Sequence, residues 1–256
     1  MKQNVSSNLK KYTCQGLAAL GILAACCQTA NAASLFPAAD GWTQIANDDG
    51  SISPGVGGQT FDAEYLAYKL VGNTLFVGLQ AGFDLVDGHV KYTDNKDYYA
   101  GDLALSFDGN ASTYEYAFDF GLFTKDYYNG ELVEADNNAD GKDDFGLYSV
   151  TEWNDDIAFT TSNPFAMDGG TMVSGANGTT AAGQDGTSYW RTVSFDLTSL
   201  GLTGIFTLDA HWTMSCGNDA INGSADVPVP EPATMLLFGT GLMGLAGLQR
   251  RRMNKE

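Results

Sequence analysis

The chain has 256 residues and carries 31 Asp and Glu against 13 Lys and Arg, a formal net charge of -18. Phosphate neutralisation needs Lys and Arg, so nucleic-acid binding is excluded as its role. Such charge favours solubility, and carboxylates at this density suit divalent cations, taken directly or bridged to acidic polysaccharide.

The first segment reads as an address. Lys2, Lys10 and Lys11 flank and precede an apolar run over residues 16–27, and the small-residue site Ala30-Asn31-Ala32 follows it. This is the layout of a secretory signal peptide, a helix that engages the Sec export machinery and is removed by signal peptidase after Ala32. Leu23-Ala24-Ala25-Cys26 also fits a lipobox, which leaves a lipoprotein anchored through Cys26 as the alternative. Residues 1–32 are thus assigned to the signal peptide.

Residues 33–226 are enough chain for one domain with a substantial core. They hold 29 acidic and six basic residues, and one cysteine, Cys216, so no internal disulfide forms. Cys216 is expected as a buried thiol, with an intermolecular bridge as the alternative.

Strand signals recur along this stretch. Residues 64–70 and 74–80 flank Gly72-Asn73 and predict a hairpin. Residues 102–107 and 113–123 predict a second across Asp108-Gly109-Asn110, with Tyr114, Tyr116, Phe118 and Phe120 alternating onto one face. Further strands are expected at 146–153, 189–197 and 204–214, the last placing Phe206, Leu208, Ala210, Trp212 and Met214 together and His211 on the opposite, polar face. Seven Asp-Gly and three Asn-Gly pairs punctuate the chain, which favours short strands joined by tight turns. The expected fold is all-β, an antiparallel β-sandwich of jelly-roll type, with residues 168–187 as a loop or extended hairpin.

The strongest chemical signal is Asp136-Asn137-Asn138-Ala139-Asp140-Gly141-Lys142-Asp143-Asp144. Oxygen ligands at alternate positions before a glycine turn resemble the first nine positions of a calcium loop of EF-hand or dockerin type. Asp136, Asn138, Asp140 and Asp144 would give side-chain oxygens and Lys142 its carbonyl to Ca²⁺. The twelfth position is Leu147 where a bidentate carboxylate belongs, so Glu134 or Glu152 would have to close the shell; the alternative is a solvated acidic turn. Only two histidines, His89 and His211, are present, and no flanking motif marks a His211–Cys216 pair as nucleophilic, so no catalytic residues are assigned. Tyr98, Tyr99, Tyr127, Tyr128, Tyr189 and Trp190 fall near expected loops or strand ends, where rings stack on sugars or pack as rim.

At the far end, residues 232–249 form an uncharged stretch of 18 residues, long enough as a helix to cross the hydrocarbon. Arg250, Arg251 and Arg252 follow it and act as a membrane stop, which keeps the C-terminus cytoplasmic. Pro230-Glu231-Pro232 stands immediately before the span, extended and short of backbone donors because of its prolines. Motif, span and basic end in this order, over residues 227–256, resemble the PEP-CTERM sorting signal of Gram-negative bacteria. The resemblance implies recognition by an exosortase, cleavage at or near the tripeptide, transient residence in the inner membrane, and delivery to the cell surface or extracellular matrix, where the family is associated with exopolysaccharide and biofilm. Tyr65-Leu66-Ala67-Tyr68, Gly101-Asp102-Leu103-Ala104-Leu105 and residues 211–219 are also similar to β-sandwich domains that precede such signals. The expected function is a structural or adhesive surface protein that binds exopolysaccharide, with a secreted polysaccharide hydrolase as the alternative.

Overall fold

The computed structural model describes residues 32–229, except 94, 111 and 136–142, together with Thr240 and Met243. The expected signal peptide except Ala32, the membrane span except Thr240 and Met243, the Arg250–Arg252 stop and the tripeptide therefore lie outside the described residues. Among the described residues, no helix is long and apolar enough to cross a membrane.

Two antiparallel sheets carry the domain. The first has five strands in the order β1 (Thr43–Asn47), β2 (Ala63–Val71), β3 (Thr74–Ala81), β11 (Ser188–Asp196) and β10 (Thr179–Asp185). The second has six, β13 (Ala220–Pro228), β12 (Ile205–Thr213), β6 (Leu103–Ser106), β7 (Tyr116–Asp119), β8 (Gly146–Asn154) and β9 (Ala166–Met172). A small ribbon of β4 (His89–Lys91) and β5 (Asp97–Tyr99) lies on the connection between them. The β2–β3 hairpin turns at Gly72, whose φ of 60° sits in the left-handed region that only glycine adopts without strain.

One core fills the space between the sheets. Leu66, Leu75, Val77 and Leu79 face it from the first sheet and Leu103, Leu105, Phe118, Leu208 and Trp212 from the second. Aromatic pairs bridge the layers: Phe195 meets both Phe107 and Phe118 at 6.0 Å, and Phe83 meets Trp212 at 6.1 Å. Phe206, Leu208, Ala210, Trp212 and Met214 all belong to this core, as their period-two spacing predicts. Cys216 is a free, buried thiol within it, and burial pushes its pKa up to about 11.

Two expectations are corrected. Residues 168–187 are neither a loop nor one hairpin: β9 pairs with β8 in the second sheet and β10 with β11 in the first, so this stretch carries the chain from one sheet to the other. Its small residues, Gly169, Gly170, Ala181, Ala182 and Gly183, hide the period-two pattern. Tyr114 also leaves the face of Tyr116, Phe118 and Phe120, because β7 begins only at Tyr116; its ring instead lies against His211, 5.6 Å between centroids.

The face of the second sheet turned away from the main core is covered in part by residues 157–166, where Ile157, Phe165 and Ala166 join Val133 in a separate apolar cluster. His211 is on this face as expected, but buried rather than solvated: its Nε2 lies 3.0 Å from the carbonyls of Ser162 and Pro164. Desolvation lowers its pKa to about 4, so the ring is neutral.

Trp212 is the largest fully buried side chain and its Nε1–H donates to the Gly101 carbonyl at 3.0 Å. Trp212→Ala leaves both a cavity and an unpaired carbonyl, so the domain is expected to lose about 3–5 kcal/mol of stability, read as a lower midpoint in a denaturant titration.

Candidate functional site

An open groove of about 670 Å³ lies along β8 and the segment leading into β7. Tyr114, Trp153 and Pro164 give it apolar walls, and Glu115, Thr151 and Glu152 give it polar ones. The Trp153 ring is held in place by its Nε1–H, which donates to the Tyr114 carbonyl at 3.0 Å, and by packing against the small cluster of Ala117, Tyr148 and Met167. Two half-buried rings, flanked by carboxylates and hydroxyls, give the groove apolar faces on which a flat or ring-shaped ligand could stack and polar groups that could bind hydroxyls.

The aromatic residues expected to do this are scattered. Tyr98 is in the main core, edge-on to Phe61 at 5.2 Å. Tyr127 packs partly against that core beneath the Lys96 ammonium, 3.2 Å from its ring centre. Tyr99 lies between His89 and Phe123, and Tyr128 is exposed against Tyr127. Tyr189 lines a second open groove with His89, Asp84 and Gln59, while Trp190 lies over Gly183. Tyr114 and Trp153 were overlooked as a pair because 39 positions separate them; only the β7–β8 register brings their segments together.

Of the expected calcium loop, Asp136, Asn138, Asp140 and Lys142 lie outside the described residues. Asp144 is exposed and its carbonyl accepts from the Tyr148 hydroxyl at 2.8 Å. Leu147 is buried in the main core opposite Phe118, which accounts for an apolar residue at the twelfth position. The neighbouring Asp143 is buried, and both its carboxylate oxygens accept from the Ala135 N–H.

Two buried acidic groups went unnoticed in the sequence. The first is a cross-strand pair. The Leu103–Phe118 register sets Asp102 opposite Asp119 at the ends of β6 and β7, and their carboxyls hydrogen-bond to each other. Asp102 also accepts from the Met167 N–H at 2.7 Å, and Asp119 from that of Gly121. Burial, with the Asp143 charge nearby, pushes Asp102 up to about 7 and holds Asp119 well above the usual carboxylate range, so the pair shares a proton.

The second group joins β2 to the loop after β1. One carboxylate oxygen from each of Asp49, Asp62 and Glu64 lies within 4.8 Å of the others. Burial, offset by a bond from the Gly50 N–H and reinforced by the Glu64, Asp49 and Asp48 charges, raises Asp62 to about 6. Glu64 is raised as well, by desolvation against three side-chain donors. Next to them Asp219 accepts from the N–H groups of Ser53, Ala63 and Ala220. Asp62 and Glu64 frame Ala63 in a strand buried on both faces, where no alternation separates a functional acid from a solvated one.

At the chain's exit, β13 runs to Pro228 paired with Ile205, and the Val229 N–H donates to the Gly204 carbonyl at 2.7 Å. Here the family model described as the PEP-CTERM protein-sorting motif matches residues 228–252. The chain therefore carries a PEP-CTERM sorting signal, which marks an exported, exosortase-processed protein of the cell surface. Comparison with curated proteins and with solved structures gives no match.

The buried pair predicts a pH dependence of stability. The pair holds in the fold a proton that unfolded carboxyls release near about pH 4, so its contribution is complete below that pH and is lost as pH rises through the raised value of Asp102, about 7, with Asp119 raised in the same direction. Each proton released lowers stability by about 1.4 kcal/mol per pH unit. In Asp119→Asn the amide keeps an acceptor for Gly121 and gains a donor for Asp102, so the loss between about pH 5 and pH 8 is expected to shrink. Denaturant titrations of both proteins across that range, with chelator present, measure it.

Proposed function

We propose that this chain is a non-catalytic structural or adhesive component of the cell surface and extracellular matrix, which holds exopolysaccharide in the Tyr114–Trp153 groove. The observation that carries the reading is the junction between the sandwich and its sorting signal. Val227 and Val229 still belong to the main core, while the matched motif begins at Pro228. A cut at or near Pro230-Glu231-Pro232 falls beyond the last core residue, so processing would release every strand of the sandwich intact. Two prolines would favour an extended, protease-accessible chain at that junction.

During transit, residues 232–249 serve as a temporary span and Arg250, Arg251 and Arg252 hold the C-terminus in the cytoplasm. After processing, the domain presents an excess of carboxylate, which suits a hydrated matrix bridged by divalent cations. The loop at 136–144 is one place where Ca²⁺ would bind, with Asp144 at its exposed end.

A second reading is a secreted polysaccharide hydrolase, favoured by Glu115 and Glu152 lining the same groove as the two rings. Such an enzyme needs an acid and a base on either side of a glycosidic bond. Release of new reducing ends from the producer's exopolysaccharide, lost in Glu152→Gln, would decide for it.

Two measurements test the leading reading. Mass spectrometry of the mature chain should locate its C-terminus near residues 230–232 in cells with the exosortase and leave the tail intact in cells without it. Immobilised exopolysaccharide should retain the protein, and Trp153→Ala should weaken retention by about two- to tenfold, if the ring's contact with a sugar is comparable to an aromatic pair at about 0.5–1.5 kcal/mol. Thermal unfolding of the variant checks that the loss is not one of folding. Equal retention by Trp153→Ala, correctly folded, would sink the groove assignment.

A further inference from the structure

We propose that Asp49, Asp62 and Glu64 form a calcium site, distinct from the loop at 136–144 and independent of the glycan groove. It would clamp the loop after β1, and the first residues of the folded domain, onto β2.

The arrangement has the chemistry of a ligand shell rather than of a solvated acidic patch. Asp62 is 3% exposed and Glu64 fully buried, yet Asp62 Oδ1 and Asp49 Oδ2 are shut off from solvent and accept no hydrogen bond. Leaving a buried carboxylate oxygen without a donor costs more than leaving a neutral acceptor so. The charged side chains that bear most on Asp62 among the described residues are themselves negative: Glu64, Asp49 and Asp48. The other oxygens are firmly held. Asp62 Oδ2 accepts from the Gly50 N–H at 2.9 Å, and in the full-length chain, before the expected cut, Asp49 Oδ1 accepts from that of Ala32 at 3.2 Å. Glu64 accepts from Gln59 at 2.5 Å, Gln80 at 2.6 Å and Ser188 at 2.8 Å. Neutral donors thus orient the three carboxylates, and the two oxygens they leave over belong to the group that still lacks positive charge.

Spacing selects the ion. Calcium–oxygen distances are about 2.3–2.6 Å, so three oxygens within 4.8 Å of one another surround one calcium ion after closing in by at most about a few tenths of an ångström. Magnesium holds its ligands at about 2.0–2.1 Å and demands a regular octahedron, which a strand pair and an irregular loop supply poorly. Asp49 is half-exposed, which leaves water access to complete the larger, more variable shell of calcium.

The consequence is structural. The Gln80 amide that orients Glu64 also donates to the Ala33 carbonyl and accepts from the Leu35 N–H, both on the domain side of the expected cut. An ion here would fasten the segment exposed by signal cleavage to the body of the sandwich, so the site would be completed only outside the cell, where calcium is plentiful.

The test uses the full-length chain in detergent, stripped with chelator, and titrated with Ca²⁺ or with Tb³⁺ as a luminescent substitute. Tyr65, whose ionisation is influenced by Asp49, Glu64 and Asp62, is close enough to sensitise the terbium. Calcium is expected to raise the thermal midpoint and to displace a Tb³⁺ signal that Tyr65→Phe largely removes. Asp49→Asn and Asp62→Asn should each weaken this binding about tenfold or more. Asp140→Asn, in the other acidic loop, should leave it in place. If Asp62→Asn fails to fold, Asp49→Asn on the half-exposed loop still reports. Wild-type affinity in Asp49→Asn, binding abolished by Asp140→Asn alone, or a midpoint indifferent to Ca²⁺ would each overturn the proposal.

Discussion

The aromatic seam between the two sheets is the contact on which the rest of the molecule depends. Phe195 reaches across from β11 to Phe107 and Phe118, and Phe83 reaches Trp212, so the layers are joined by rings rather than by aliphatic side chains alone. Each ring buries a large apolar area and prefers a tilted or edge-on neighbour, which fixes the offset of one sheet over the other. Once those strands are oriented, period two decides the rest: the inward set of β12 determines that Asp209 and His211 face the other way. Chemistry on the outer side of the second sheet is therefore a by-product of packing on its inner side.

That outer side carries an electrostatic burden, because the domain has few cations to spend on it. Arg191 is buried with its guanidinium on the Leu85 carbonyl and the Thr180 hydroxyl, and Lys96 is committed to the Tyr127 carbonyl and ring. The carboxylates that folding buries must then be stabilised in other ways. Asp102 and Asp119 share a proton, Asp143 takes a backbone N–H with both oxygens, and Asp219 takes three. Asp49, Asp62 and Glu64 have used up their neutral donors with two oxygens still unmet. In a chain where acids outnumber bases so heavily, an ion from outside is the remaining source of positive charge.

The long strands were legible because their sequence obeys one rule at a time. In β2 and β3 a turn glycine separates two apolar runs, and in β12 large side chains alternate cleanly with polar ones. β9 and β10 were not legible, since strands built of Gly, Ala and Thr bury little and are held by the ladders of β8 and β11. β13 was missed for the same reason: Asn222, Gly223 and Ser224 carry no strand signal, and the nine-residue register with β12 supplies the order. The sorting signal stood out because its three parts are contiguous. The groove and the acidic cluster did not, because each joins residues from separate segments, and only the register and the return of the loop after β1 bring them together.

Both ends of the domain are fastened, and this bears on how an exported sandwich survives its own processing. β13 lies along the edge of the first sheet as well as in the second: the Tyr68 hydroxyl donates to the Asp226 carbonyl, and the backbone at Gly223 approaches the Ile45 carbonyl so closely that a Cβ would meet it at 2.8 Å. The final strand thus closes the gap between the layers just before the sorting signal begins. At the other end, Ala33 and Leu35 are held by Gln80. Terminal segments fray unless they are tied down. Here the ties lie on the domain side of the expected cuts, at Ala33 and Leu35 and at Val229, so the contacts that secure each end remain after the address beyond it is removed.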